Sequence, residues 1–183
     1  MGEATLTVKP NRHLKPFHLE TFGKLETVKG VSVCTYLADR QVSERQAKAA
    51  NDYLSQQDFK ADIQIVNDQS NPIQKGSSIV LWAQTNSGVI LGADAIGELR
   101  KMAEVVGKEA AQKLLAELSA EPTVDVFLAD MLIPYMALVQ GTSAFLTRTI
   151  SEHIESNIWL MEKMLDIKFN IQRINNLYRI EKS

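Results

Sequence analysis

The chain has 183 residues, 45% hydrophobic and 23% charged, with a net charge of −2. That length can bury the core of one large domain or two small ones, and the near-neutral balance gives no global electrostatic case for nucleic acid, so such a contact must come from a local cluster. The single cysteine, Cys34, excludes an intrachain disulfide and fits a reducing compartment; with no apolar run of membrane-span length and no signal-peptide pattern at the start, a cytoplasmic protein without membrane contact is expected.

Residues 4–9 (A-T-L-T-V-K) alternate as a strand, stopped by Pro10 and Asn11. P-F-H-L-E (16–20) is short and extended, and Gly23 interrupts it. His13 and His18, with no third ligand near them, read as surface or strand-face histidines rather than a metal site. The β-branched run from Lys24 to Ala38 predicts a long strand, with Gly30 as a bulge or bend and Cys34 as a buried, inert thiol. Ser43 is the expected N-cap of a helix over 44–56, whose thin stripe of Ala47, Ala50, Tyr53 and Leu54 suits covering one face of a sheet. A half-buried strand over 61–67 and a polar loop over 68–77 come next. The runs 78–85 and 89–95, joined by Asn86-Ser87-Gly88, read as an antiparallel hairpin.

The next helix spans 98–118, with Leu99, Met102, Ala103, Val106, Ala110, Leu114 and Leu118 on its buried face. Gly107 inside it costs about 1 kcal/mol against alanine and marks a close helix–sheet approach. Pro122 ends the unit. Residues 30–119 thus read as β-α-β-β-β-α, four strands backed by two helices, a small domain able to fold alone.

Two amphipathic helices come after it. V-D-V-F-L-A-D-M-L-I-P-Y-M-A-L (124–138) repeats apolar residues at helical spacing and should bend at Pro134. I-S-E-H-I-E-S-N-I-W-L-M-E-K-M-L (150–165) carries a stripe of Ile150, Ile154, Ile158, Met161 and Leu165. A strand over 143–149 lies between them. The runs 167–174 and 177–181, turning at Asn175-Asn176, close the chain as a hairpin.

Each helix holds one residue its stripe does not need, Asp130 in the first and His153 in the second. His153 sits two residues after Ser151, the expected N-cap, and so in the first helical turn. Free N–H groups and the dipole there favour a phosphate, and the same field favours neutral imidazole, suited to attack on phosphorus. Asp130 is placed to orient that ring or to hold a metal-bound phosphate. The plainer reading is a polar surface histidine. Asp125 lies five positions before Asp130 and so on another face; it reads as a first-turn residue complementing the dipole. No glycine-rich phosphate loop occurs. Arg148, Lys168, Arg173 and Arg179 form either a basic edge or a solvated edge that resists aggregation.

These two helical segments resemble the C-terminal signature of the RNA 3′-terminal phosphate cyclases, V-D-x-x-L-A-D-Q-L-I-P-x-M-A-L followed by H-L-x-T-N-I. S-S-I-V-L-W-A-Q-T (77–85), G-A-D-A-I-G-E (92–98) and V-V-G-K-E-A-A-Q-K-L-L (105–115) resemble archaeal-type members, so the likeness covers most of the chain. The resemblance implies an α+β fold: a two-layer sheet-and-helix fragment of a catalytic body, residues 1–29 and 120–183, with an inserted four-strand, two-helix domain over 30–119.

It also implies an activity, the conversion of RNA 3′-phosphate ends into 2′,3′-cyclic phosphates with ATP and a divalent metal, magnesium or manganese. In that family a histidine takes AMP covalently, and the nucleophile falls on His153. The adenylate-lining segment falls on Leu128, Ala129, Asp130 and Met131, with Phe127 packing against the base. Met131 replaces a family glutamine and cannot make its hydrogen bonds. Ser156 replaces a threonine, and Leu99-Arg100 stand where a basic residue and glycine are common. Family members are about twice as long, and the likeness begins at Gly2-Glu3, just after a Y-P-x-G-G-G segment. The expectation is a C-terminal fragment, inactive alone, whose partner is the N-terminal half or a second copy. The alternative is a non-catalytic cyclase-like protein that binds RNA in ribosome biogenesis; that branch lacks the histidine.

Overall fold

The computed structural model describes residues 4–9, 13–70 and 74–183. In chain order it contains β1 (His18–Leu19), β2 (Leu25–Thr35), α1 (Val42–Ser55), β3 (Ala61–Asp68), β4 (Gly76–Thr85) and β5 (Ile90–Ile96). Then come α2 (Ala103–Ala120), α3 (Val126–Leu138), β6 (Ser143–Thr147), α4 (Glu152–Met164), β7 (Phe169–Ile174) and β8 (Leu177–Lys182). The fold class is α+β, with two four-stranded sheets.

One sheet has the order β3-β2-β4-β5. β2 and β3 are parallel, which a tight turn cannot join, and α1 supplies the crossover. β4 runs antiparallel to both β2 and β5. Alternation in β4 turns Ile79, Leu81 and Ala83 inward, where they meet Ala50 and Leu54 of α1 and Val106, Ala110 and Leu114 of α2. The second sheet has the order β1-β6-β8-β7, with β1 parallel to β6 and the rest antiparallel. Its core joins Phe145 and Ile180 to Ala129, Ile133 and Met136 of α3 and Ile154 of α4. β2 continues unbroken across positions 29 and 30.

Several expectations are revised. Residues 4–9 form no strand, and Leu6 and Val8 are exposed; their alternation has no neighbouring strand to pair with. Pro10 and Asn11 lie outside the described residues, as does 71–73 of the polar loop. The first helix starts at Val42 after Gln41 (φ +50), and Ser43, far from capping it, is buried against Asn67. The second starts at Ala103, because Arg100 (φ +69) turns the chain; Leu99 and Met102 are exposed instead of facing the core. Gly30 is no bulge, since its pairing with Leu81 is regular; an added Cβ would meet the Leu81 side chain at 2.6 Å. Gly107 marks a helix–helix approach rather than a helix–sheet one, with the Gln46 carbonyl 2.1 Å from where its Cβ would be. Cys34 is buried, as its apolar surroundings indicated.

Candidate functional site

α3 starts where Asp125 caps it. One carboxylate oxygen accepts from the N–H groups of Phe127 (3.0 Å) and Leu128 (2.9 Å). The other accepts from Gly92 N–H of β5 at 3.0 Å. Asp125 is therefore an N-cap rather than a first-turn residue, and one side chain ties the start of α3 to the other sheet. Further along, Pro134 has no N–H to give to the carbonyl four residues back, that of Asp130. The Asn157 side-chain amide of α4 donates to that carbonyl at 3.0 Å. A bond lost within one helix is thus replaced by one between two.

α4 begins at Ser151, whose hydroxyl accepts from Ile154 N–H at 3.0 Å and donates to the Asp130 carboxylate. Asp130 holds α4 twice, through its side chain to Ser151 and through its carbonyl to Asn157. His153 is the second residue of α4, in the first turn as its spacing indicated. It is exposed and has no hydrogen-bond or ion-pair partner among the described residues. Asp130 therefore bonds the cap of the helix instead of the imidazole. Glu152 and Glu155 share this turn and offset its positive end, so its attraction for a phosphate is weaker than a bare helix start would give.

The other expected nucleotide contacts divide by face. Phe127 (50% exposed), Leu128 (40%) and Met131 (65%) point outward from α3. Asp130 is half-buried against α4, and Ala129 is fully buried beside Ile133 and Met136, with its N–H bonded to the Asp125 carbonyl, so it presents no surface to a nucleotide. Phe127 and Met131 are four apart and so share one face of the helix, an apolar surface one base could lie on.

Sequence reasoning passed over a buried acid. Glu117 of α2 is 2% exposed, and its Oε1 accepts from Arg148 Nε at 2.9 Å and from Val126 N–H at 3.4 Å. Its Oε2 is buried without a partner. Burial pushes this carboxyl above the ordinary range, the Arg148 guanidinium pulls it back, and nearby Asp125 adds to the rise. The signal was present: position 117 falls three after Leu114 and seven after Ala110, inside the apolar stripe. Arg148 is thereby taken, Arg179 pairs with Glu20 and Glu181, and Lys168 pairs with Glu162, so the proposed basic edge is largely neutralised. Among the described residues no three His, Cys, Asp or Glu side chains group as metal ligands, and no helix is long and apolar enough to cross a membrane.

Comparison with known proteins adds to this geometry. A family model described as the insert domain of RNA 3′-terminal phosphate cyclase (RTC) matches residues 20–119. A protein of Pyrobaculum aerophilum named RNA 3′-terminal phosphate cyclase is 40% identical over 182 residues, 98% of this chain and 51% of its own length. Proteins of the same name from Methanopyrus kandleri (37% identical, 93% of this chain, 49% of theirs) and Pyrococcus abyssi (38%, 90% and 46%) are similar too. The chain spans about half the length of the curated relatives it matches.

Proposed function

The chain belongs to the RNA 3′-terminal phosphate cyclase family, and from that membership we propose that it carries the adenylate-accepting part of an ATP-dependent cyclase, with His153 as the nucleophile. The observation that carries this reading is the exposed imidazole of His153, without a hydrogen-bond partner among the described residues and two residues from a cap anchored by Asp130 of α3. An imidazole nitrogen free of hydrogen bonds keeps its lone pair for attack.

In the proposed reaction that nitrogen attacks the α-phosphorus of ATP. An N–P bond forms as the P–O bond to the β-phosphate breaks, and pyrophosphate leaves. A 3′-phosphate oxygen of RNA then takes AMP and frees the imidazole. The vicinal 2′-hydroxyl attacks the 3′-phosphorus, loses its proton and expels AMP, closing the 2′,3′-cyclic phosphate. Positioning and charge stabilisation carry such transfers. Phe127, Leu128 and Met131 offer the base its apolar face, Ala129 packs beneath them in the core, and Asp130 fixes the helix that bears His153. A divalent metal would neutralise phosphate charge when bound, but among the described residues no three His, Cys, Asp or Glu side chains group to hold a resident ion. We assign residues 20–119, which the insert-domain model matches and which hold the whole of β2, to the insert, and the residues flanking them to the catalytic body, in a cytoplasmic protein whose remaining RNA and phosphate contacts come from the other half of the relatives' length or a second copy.

The test is incubation with α-labelled ATP and magnesium. Label should appear on the protein, resist alkali, be released by acid as expected of a phosphoramidate, and vanish in His153→Ala. If this chain stays unlabelled while one of the relatives' full length labels, the chain is inert alone. Met131 supports a second reading, a non-catalytic RNA-binding relative, because it cannot replace an amide's hydrogen bonds. RNA binding without any label in either length would favour that reading.

A further inference from the structure

Away from α3 and α4, neither of which lines it, a cavity of about 510 Å³ lies at the end of the first sheet between the starts of α1 and α2. Its lining holds five cationic side chains, Arg40, Arg45, Lys75, Arg100 and Lys101, against one acid, Glu98. Two of these cations are spent. Arg45 makes a two-pronged pair with Glu104 at 2.7 and 2.8 Å, and Lys101 is shared between Glu98 and Glu109. Arg40, Lys75 and Arg100 have no ion-pair or side-chain hydrogen-bond partner among the described residues. Three unpaired cations around one concavity repel one another, and an anion relieves that repulsion. Val42 and Ala103, the first residues of α1 and α2, are also in the wall, and neither helix has a side-chain cap, so the positive ends of both add to the same field. Beside the charges, Leu37, Leu99 and Met102 line the cavity, with Leu99 92% exposed. Cations next to bare aliphatic surface match a nucleotide unit, phosphate on one side and sugar or base on the other, better than a free inorganic anion.

We propose that this cavity holds the phosphodiester backbone of an RNA strand, upstream of the 3′ end that reacts at His153. The assignment rests on the RNA-cyclase reading above. Ala103 lies at the cavity and Glu117 at the other end of α2, where Val126 of α3 is bonded. Fourteen helical steps place these ends about 21 Å apart, the length of roughly six stacked nucleotides at about 3.4 Å each. A strand reaching both places must therefore be longer than a dinucleotide.

The experiment measures binding of this chain to a 3′-phosphorylated dinucleotide and dodecanucleotide by fluorescence anisotropy over a range of salt. The comparison is with R40E/R100E, two exposed positions. In the wild type the dodecamer should bind about tenfold or more tighter than the dinucleotide. The double variant should lose most of that advantage, and its salt slope should fall by about 1.4, from two phosphate contacts at about 0.7 each. Labelling of His153 by ATP should not change. An unaltered dodecamer affinity and slope in R40E/R100E would overturn the proposal. So would a double variant that loses inorganic pyrophosphate binding but keeps the dodecamer, since the cavity would then take a free polyphosphate. If the double variant melts early, Lys75→Glu gives the same comparison with a slope change near 0.7. The labelling assay reads the His153 assignment separately, so the two ideas fail independently.

Discussion

Gly107→Ala sets two effects of opposite sign against each other. As an isolated helix substitution it should stabilise by about 1 kcal/mol, because glycine gives up more chain entropy than alanine. The structure reverses that sign. A Cβ at 107 would lie 2.1 Å from the Gln46 carbonyl oxygen and 3.1 Å from the Ala50 nitrogen, the two ends of one backbone hydrogen bond of α1. Ordinary contact begins near 3.4 Å, so α1 and α2 must separate by 3.4 − 2.1 = 1.3 Å there. No flexible side-chain tip can absorb this, since the obstacle is backbone. Ala47, Ala50, Ala103, Ala110 and Ala111 are all buried, and their small side chains make the close approach possible. Overpacking of this kind costs about 1–3 kcal/mol, and rigid backbone puts it at the upper end. After the propensity gain, a net loss of about 1–2 kcal/mol is expected. Urea denaturation followed by Trp82 of β4 in a Trp159→Phe background isolates this sheet. A variant more stable than its parent by the propensity amount would refute the packing argument.

Three further outcomes rest on the residues around α3 and α4. Asn157→Leu strands the Asp130 carbonyl and should cost about 1–2 kcal/mol; Pro134→Ala in the same chain should recover it by restoring the missing N–H, as thermal melts would show. Burial raises the Glu117 carboxyl above 4.5, so the folded state holds its proton more tightly than the unfolded state. Stability should therefore fall as pH rises from the unfolded value through the folded one, and Glu117→Gln should flatten denaturation midpoints across that window. Asp130→Asn keeps an oxygen for Ser151 and should label with ATP much as the parent does, whereas Asp130→Ala loses that bond, about 1 kcal/mol, and should label poorly. An inactive Asn variant would mean that the charge at 130 matters, and not the anchoring.

The strands and helices of the first sheet were legible because period-2 and period-3.6 patterns record burial directly, and the core of β4 against α2 obeys them. Misreadings came where the backbone leaves the ordinary regions. Arg100 and Gln41 take positive φ without being glycine, so nothing in their side chains announced the turns that reset both helix starts. At the site, the cap at Ser151 and the first-turn place of His153 were readable from short-range chemistry. The partner of Asp130 was not. Pro134 signalled a freed carbonyl, but only the packing of α4 on α3 determines which donor arrives, and it brings Asn157.

That packing bears on how much of α3 a nucleotide can account for. The inner face buries Ala129, Ile133, Met136 and Ala137, while the outer face exposes Phe127, Leu128, Met131, Tyr135 and Leu138. A helix apolar all round is one covered on both sides. From Phe127 to Leu138 is eleven steps, about 16 Å along the axis, and α4 adds Trp159, Leu160 and Met164. One base resting on Phe127 and Met131 covers the start of that surface and no more. The remaining exposed apolar side chains are of the kind that mark a protein contact. In the proposed function this is where the other half of the relatives' length, or a second copy, meets the chain, closing over a nucleotide that α3 alone supports from one side.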